Sequence, residues 1–227
     1  MTKMITYDDM TIEMMQGTQY PAEMLGLALS ITMKSSPDDF IPKFTAEKGR
    51  FILEAEHSSV FEHVVYTFLI QNMSRSLLAQ LTRQRTASPT SGSQHYQTYT
   101  DYPCSVSPCL TEEQATIMQD GIDYSFETYD KLLKTGLAKE EARQALPNAA
   151  VTNYLWTIDA RNLALFLRLR LCHRNVLEMQ IFAEAVLSMV IEHFPELYRN
   201  VGPQCFRGKC KQGPMKCVEG PWIPRNA

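Results

Sequence analysis

Residues 60–94 read VFEHVVYTFLIQNMSRSLLAQLTRQRTASPTSGSQ, and this run decides how the chain is built. Over residues 60–71 the pattern alternates. Val64, Tyr66, Phe68 and Ile70 fall on one face, and β-branched and aromatic residues suit a half-buried strand. His63 then reads as a core histidine of that strand. Ser74 fits an N-cap, and SRSLLAQLTRQR fits a helix closed by Arg83 and Arg85. Residues 86–94 are small and polar, contain Pro89 and Gly92, and read as a loop.

Outward from this run the chain is mostly helical. Residues 21–36 read as a helix opened by Pro21, and residues 39–56 as a second one. Residues 95–100 read as a return to strand. Residues 111–134 form a long amphipathic helix begun by Thr111 with Glu113 close behind, and residues 138–146 a shorter one stopped by Pro147. Residues 150–159, AVTNYLWTID, suggest a second β segment, followed by helices over 161–171 and 175–194. Long helices with strands that do not alternate regularly point to α+β. From Gly202 the composition changes: GPQCFRGKCKQGPMKCVEGPW holds three Cys, four Gly and three Pro. The expected organisation is a domain over residues 1–200 and a Cys/Gly/Pro-rich tail over 201–227.

The chain has 227 residues, 44% hydrophobic and 21% charged, which is enough for one sizeable core. Its net charge of -3 argues against a general nucleic-acid binder, whose phosphate contacts need a basic surplus. A small phosphorylated ligand needs only a local Arg cluster. The opening MTKMITYDDMTIEMM is acidic and lacks the apolar run of a secretory signal. No segment approaches the ~20 apolar residues of a membrane span. The reading is a cytoplasmic protein with no membrane or nucleic-acid partner. Its six Cys are then expected as thiols or metal ligands.

Arg83 and Arg85 precede a loop full of Ser, Thr and Gly. Hydroxyls and free backbone N–H groups suit phosphate oxygens, and guanidinium forks suit phosphates or planar heterocycles. From these residues alone, an anion site and a solvated helix end carrying its favoured cations are equally good readings.

The surrounding motifs resolve that choice by resemblance. RQRTASPTSGS, residues 83–93, resembles the signature of the flavin-dependent thymidylate synthases: Arg-His-Arg, seven residues, then Ser. HSSVFEHVVYTF (57–68), EEARQALP (140–147) and TIDARNLALFLRLR (157–170) resemble three further segments of that family, in order and at family spacing. The resemblance covers residues 55–190, and four motifs in sequence are far more specific than one.

The resemblance implies a twisted, mainly antiparallel sheet flanked by long helices, assembled as a homotetramer with shared active sites. It implies FAD-dependent reductive methylation of dUMP to dTMP, with methylenetetrahydrofolate as carbon donor and NADPH as reductant. Ser59, Glu62, Arg83, Gln84, Arg85, Ser91, Asp159, Arg161 and Leu165 match flavin-contacting positions. Gln80, Arg83, Ser91, Gly92, Ser93, Gln94, His95, Arg143 and Arg170 match nucleotide-contacting positions. Ser93, His57 and Arg170 are the implied catalytic residues, with Arg170 at the uracil ring, His57 near the flavin and Ser93 as the signature Ser.

The chain departs from the family pattern at four places. Gln84 replaces the central His of the triplet, Ser91 a loop Glu, His95 a loop Arg, and Asp159 an Asn. These changes cluster on flavin and nucleotide positions. They keep open a relative that modifies C5 of another pyrimidine nucleotide such as UMP, or adds a different one-carbon group. A non-catalytic flavin or nucleotide binder ranks below both. Elsewhere bland readings prevail: Cys172 is core, His173 and His193 lie on helix surfaces, and Arg168 faces solvent or a subunit contact. Cys205, Cys210 and Cys217 are candidate zinc ligands set against free thiols or a conditional disulfide, because their x4 and x6 spacings are looser than C-x2-C.

Overall fold

The alternation in residues 64–70 produces the strand expected of it. In the computed structural model, Val64, Tyr66, Phe68 and Ile70 are all fully buried. The structure describes residues 1–33, 44–55, 57–99, 102–206, 208–217 and 222. Among the described residues six strands form: β1 (Met4–Thr6), β2 (Thr11–Gly17), β3 (Val65–Ser74), β4 (Ser88–Ser91), β5 (Cys104–Val106) and β6 (Val151–Asp159). Eight α-helices accompany them among the described residues: α1 (Pro21–Met33), α2 (Ala46–Glu54), α3 (Arg75–Leu81), α4 (Glu112–Lys134), α5 (Lys139–Ala142), α6 (Ala160–Arg170), α7 (Leu177–His193) and α8 (Pro195–Tyr198).

A four-stranded sheet runs in the order β2-β3-β6-β4. Its two central strands are antiparallel: Ala160 N–H, at the end of β6, donates to Val64 O before β3 (2.7 Å), and Arg75 N–H after β3 donates to Ala150 O before β6 (3.1 Å). Thr18 N–H donates to Val65 O (3.0 Å) while Thr11 Oγ1 donates to Gln71 Oε1 (3.4 Å), so β2 also lies antiparallel to β3. β1 and β5 form a separate parallel pair, Met4 opposite Cys104. The α+β, mainly antiparallel architecture is therefore as expected.

The described chain divides into two compact units. One comprises Met1–Glu13, Leu69–Arg85 and Pro89–Trp156. Its core gathers Ile122, Phe126 and Tyr129 from α4 with Cys104, Val106, Tyr99, Ala142 and Ala150. The other comprises Met14–Phe68, Thr86–Ser88 and Thr157–Ala227. Its core is aromatic: Phe44 meets Phe61 edge-on at 6.1 Å, Tyr66 meets Tyr198 at 5.9 Å, and Phe166 meets Phe182 at 6.1 Å.

Local chemistry sets the boundaries, and several differ from expectation. Residues Ser58–His63 form a 3-10 turn rather than the start of a strand, so His63 is exposed and not a core histidine. α3 is capped by Ser74, whose Oγ accepts Leu77 N–H, but it ends at Leu81. There the Thr82 hydroxyl donates back to Leu78 O (3.1 Å), which competes with helix continuation. Arg83 and Arg85 therefore sit in a turn beyond the helix rather than closing it. Part of the expected 86–94 loop is β4, and residues 94–97 form turns and a bend instead of a strand. α4 begins as expected at Thr111, but its capping box is closed by Gln114, not Glu113.

α1 and α2 occupy the two expected helical stretches, with α2 starting at Ala46. Residues 34–36 and 39–43, 56 and 100 of the expected elements lie outside the described residues. His173 lies in the turn between α6 and α7, not on a helix. His193 is half-buried, its ring edge-on to Tyr66 at 5.5 Å, rather than a surface residue. No described helix is long and apolar enough to cross a membrane.

Candidate active site

The nominated nucleotide positions other than Arg170 lie within the first unit. Gln80 is half-buried near the end of α3, and the turn beyond it is fixed by Arg83 N–H to Gln80 O and Gln84 N–H to Leu81 O. The guanidinium groups of Arg83 and Arg85 are exposed and make no ion pair or hydrogen bond among the described residues. Two unsatisfied forks one residue apart are a strong cation source for phosphate.

The loop that follows is tied down from behind. Gly92 N–H donates to Asn153 O (3.0 Å), and His95 N–H donates to Ser93 Oγ (3.2 Å). Arg75 Nη2 donates to Gly92 O (2.8 Å) and to Tyr99 Oη (2.5 Å), with its guanidinium 5.8 Å from the Tyr99 ring centre. A Cβ at Gly92 would stand 3.1 Å from Thr152 Oγ1 and 3.2 Å from Gln97 Oε1, so any larger residue would push the loop by a few tenths of an ångström.

Arg143 stands with the same loop. Its Nε donates to Glu140 O (2.9 Å), and Glu140 Oε2 lies 3.7 Å from His95 Nδ1. Glu140 thus couples the His95 that replaces the usual loop Arg to Arg143 on α5's continuation. Glu140, Arg75 and Tyr99 were not expected as site residues. Arg75 had a readable signal: a cation at the first position of a helix opposes the macrodipole and needs another reason to be there.

The remaining nominated positions, apart from those shared with the triplet and loop, lie within the second unit. His57, Ser59 and Glu62 are exposed on and beside the 3-10 turn. Glu62 Oε1 pairs with Arg161 Nη1, which accounts for a cation near the N-terminus of α6. Asp159 is the N-cap of α6. Its Oδ1 accepts Asn162 N–H (2.9 Å), a capping bond that an Asn makes as well, and its Oδ2 accepts Asn162 Nδ2–H (2.6 Å). Leu165 is 46% exposed on the same helix.

A cavity of about 540 Å³ is lined by Met24, Leu27 and Ile31 on one side and by Ser59, Glu62 and His63 on the other. An apolar wall with a polar rim fits an amphipathic ring cofactor. Ser59 and Glu62, both nominated for flavin, stand on that rim.

Arg170 ends α6 half-buried, 5.8 Å from the Phe166 ring centre one turn back. Asn175 fixes it from the other side: Asn175 Oδ1 accepts Arg170 Nη1 (3.4 Å), while its Nδ2 donates to Leu169 O (2.9 Å) and Arg170 O (3.2 Å). Asn175 is a positioning residue that the sequence did not flag. Cys172, expected in the core, is partly exposed in the adjoining turn.

Among the described residues no group of three or more His, Cys, Asp or Glu could hold a metal ion. A separate cavity of about 710 Å³, between α4 and residues 105–110 and 147–149, contains none of the nominated residues.

Comparison with known proteins gives this architecture a class and then a family. The fold matches that of a UMP/dUMP methylase, PolB from Streptomyces cacaoi, crystallised with 5-Br dUMP, with a TM-score of 0.74 at 21% identity, covering 87% of this chain and 96% of that one. That likeness fixes the fold, an α+β scaffold. Residues 9–196 match the family model described as thymidylate synthase complementing protein. A flavin-dependent thymidylate synthase of Geobacter sulfurreducens is 33% identical over 95% of this chain and 97% of its own length. One of Clostridium tetani is 34% identical over 71% of this chain and 72% of its own. The chain belongs to the flavin-dependent thymidylate synthase family and is an enzyme.

Proposed function

We propose that the chain methylates C5 of dUMP to give dTMP, using FAD, NADPH and methylenetetrahydrofolate, as a cytoplasmic homotetramer with shared active sites and residues 201–227 as an appended tail. The observation that carries this reading is the pair of unpartnered guanidiniums, Arg83 and Arg85, on a fixed turn beside a hydroxyl-bearing loop. In this reading Arg83, the Ser91–His95 loop and Arg143 grip the nucleotide, with Gln80 beside them.

Arg170 stands at the pyrimidine ring. C5 of uracil is a poor nucleophile until negative charge spreads over the ring, and a guanidinium at the ring oxygens stabilises that charge as it develops. Asn175 and Phe166 hold Arg170 in one orientation, so little reorganisation is needed when the charge appears. Ser59, Glu62, Gln84, Arg85, Asp159, Arg161 and Leu165 hold the flavin, with His57 close to it. Bound FAD supplies the hydride that a protein side chain cannot. Ser93, fixed by His95 N–H, presents its hydroxyl to the substrate.

A second reading, methylation of UMP or transfer of a different one-carbon group, draws on Gln84, Ser91 and His95 and on the UMP/dUMP activity carried in the name of the PolB neighbour. Asp159 lends it less support, because that residue caps a helix as an Asn would. Purified protein is expected to be yellow and to bleach with NADPH. Mass analysis of reactions run in parallel with dUMP and UMP should find a methylated product from dUMP. A product from UMP alone favours the second reading, and a colourless protein whose spectrum stays flat with added FAD rejects both.

A further inference from the structure

Three thiols from two distant segments share one cavity. Cys172 stands in the turn between α6 and α7, Cys205 and Cys210 stand in the tail, and all three line a space of about 280 Å³ together with Arg168 and Arg174. None of these five residues has a part in the nucleotide or flavin chemistry above.

The tail is built onto this wall. Arg174 Nη1 donates to Gln212 Oε1 (3.0 Å), and Nη2 lies 3.8 Å from Met215 Sδ. Phe206 meets Trp222 edge-on at 5.5 Å, and Trp222 N–H points at Cys205 Sγ (3.4 Å). Gly202 admits this packing only because it lacks a Cβ, which would come within 2.6 Å of the Phe206 ring. The tail thiols are thus held at the Cys172 turn.

Two of the three cysteines outside this cavity lining differ plainly. Cys104 is buried, and that burial, with Asp123 nearby, pushes its thiol up to about 12, so it is inert at neutral pH. Cys109 is exposed and lies outside the cavity. Cys172, Cys205 and Cys210 are partly exposed, and the Arg168 and Arg174 cations at the wall attract carboxylates.

We propose that this cavity is a dithiol–disulfide site, in which Cys172 pairs with a tail thiol, Cys205 or Cys210, by exchange with a carboxylate-bearing low-molecular-weight disulfide. One protein thiolate attacks a sulfur of that disulfide, RSSR, forming a mixed disulfide and releasing one thiolate RS⁻. The second protein thiolate then displaces the other RS⁻. The two protein thiols lose two electrons and their protons, and RSSR gains them as two RSH. The product ties the tail to the turn that carries Asn175, whose Nδ2 donates to Cys172 O (3.2 Å).

The test uses the full-length protein and oxidised glutathione, followed by acid quenching, alkylation and peptide mapping without reductant. The expected result is a peptide containing Cys172 joined to one containing Cys205 or Cys210, in a chain that still migrates as a single subunit. Tryptic cleavage after the exposed Lys209 and Lys211 should slow several-fold and recover with reductant. Cys172→Ser should lose both the link and the protection, and Cys109→Ser should keep both. Links confined to the tail, links between chains, glutathione adducts alone, or no thiol loss would each overturn the proposal. The wild-type map decides even if Cys172→Ser does not fold, and it reads the same whether or not the enzyme turns over dUMP.

Discussion

Asp159 and Arg75 carry opposite lessons about single residues. Asp159 looks like damage in a flavin site, since an ionised carboxylate cannot donate a hydrogen bond. Its capping bond, from Asn162 N–H to Oδ1, is one in which Asp and Asn are equivalent. Asp159→Asn should therefore leave stability within a few tenths of a kcal/mol, whereas Asp159→Ala should cost about 1 kcal/mol, read from urea midpoints at constant slope. Arg75 was passed over because nothing in its neighbours names a partner. Gly92 and Tyr99 lie 17 and 24 positions away, and only tertiary structure brings them to its fork. Arg75→Lys removes the planar two-acceptor geometry while keeping the charge. The expected outcome is a KM for nucleotide raised about tenfold with a smaller change in kcat, as befits a residue acting through the loop it holds. Equal losses in kcat and kcat/KM would contradict that role.

Among the elements, strands with a strict alternation and helices with caps were legible, and their ends were not. β3 and β6 were readable because each buries every second side chain, and α4 because Thr111 begins a long periodic run. The 3-10 turn before β3 was hidden by apolar residues such as Val60 and Phe61, which serve a strand or a turn equally well. The short strands β1 and β5 went unread because three residues carry no period; their pairing, Met4 to Cys104, is decided by distant chain. The end of α3 was misplaced by four residues, because the Thr82 back-bond to Leu78 is invisible to a pattern of apolar positions. This last displacement matters functionally, since it frees Arg83 and Arg85 from helix geometry. The loop that follows offers the matching test. Gly92→Ala adds a methyl within 3.2 Å of both Thr152 Oγ1 and Gln97 Oε1, so the loop must shift by a few tenths of an ångström. Thermal stability should barely change, while nucleotide affinity, measured by calorimetry, should fall several-fold. Unchanged affinity would remove this loop from the site.

Two consequences belong to the whole molecule, the first of them set by burial. His193 packs on Tyr66, its Nδ1 is buried without a hydrogen-bond partner, and burial lowers its pKa. A free imidazole titrates near pH 6.5. Below that pH the unfolded chain takes up a proton that the folded chain resists, so this contribution to stability is complete above about pH 6.5 and is lost as pH falls. His193→Gln should show a shallower decline of Tm between pH 7 and pH 5 than the wild type, and parallel curves would show that the acid limb lies elsewhere. Exposure supplies the second consequence. Ile117 and Tyr124 on α4 and Leu169 on α6 are at least 65% exposed, large apolar side chains that a partner subunit can cover. If partner subunits cover these faces and complete one another's sites, Arg143 and Arg170 need not come from the same chain. Subunits carrying Arg143→Ala and subunits carrying Arg170→Ala should each be nearly inactive alone. Mixed at random in equal amounts, a site built from two chains draws both wild-type side chains in roughly one case in four. Activity should then return to about a quarter of wild type in oligomers proven to be mixed by two affinity tags. Sites built within single chains would give no recovery, because every chain would still lack one guanidinium.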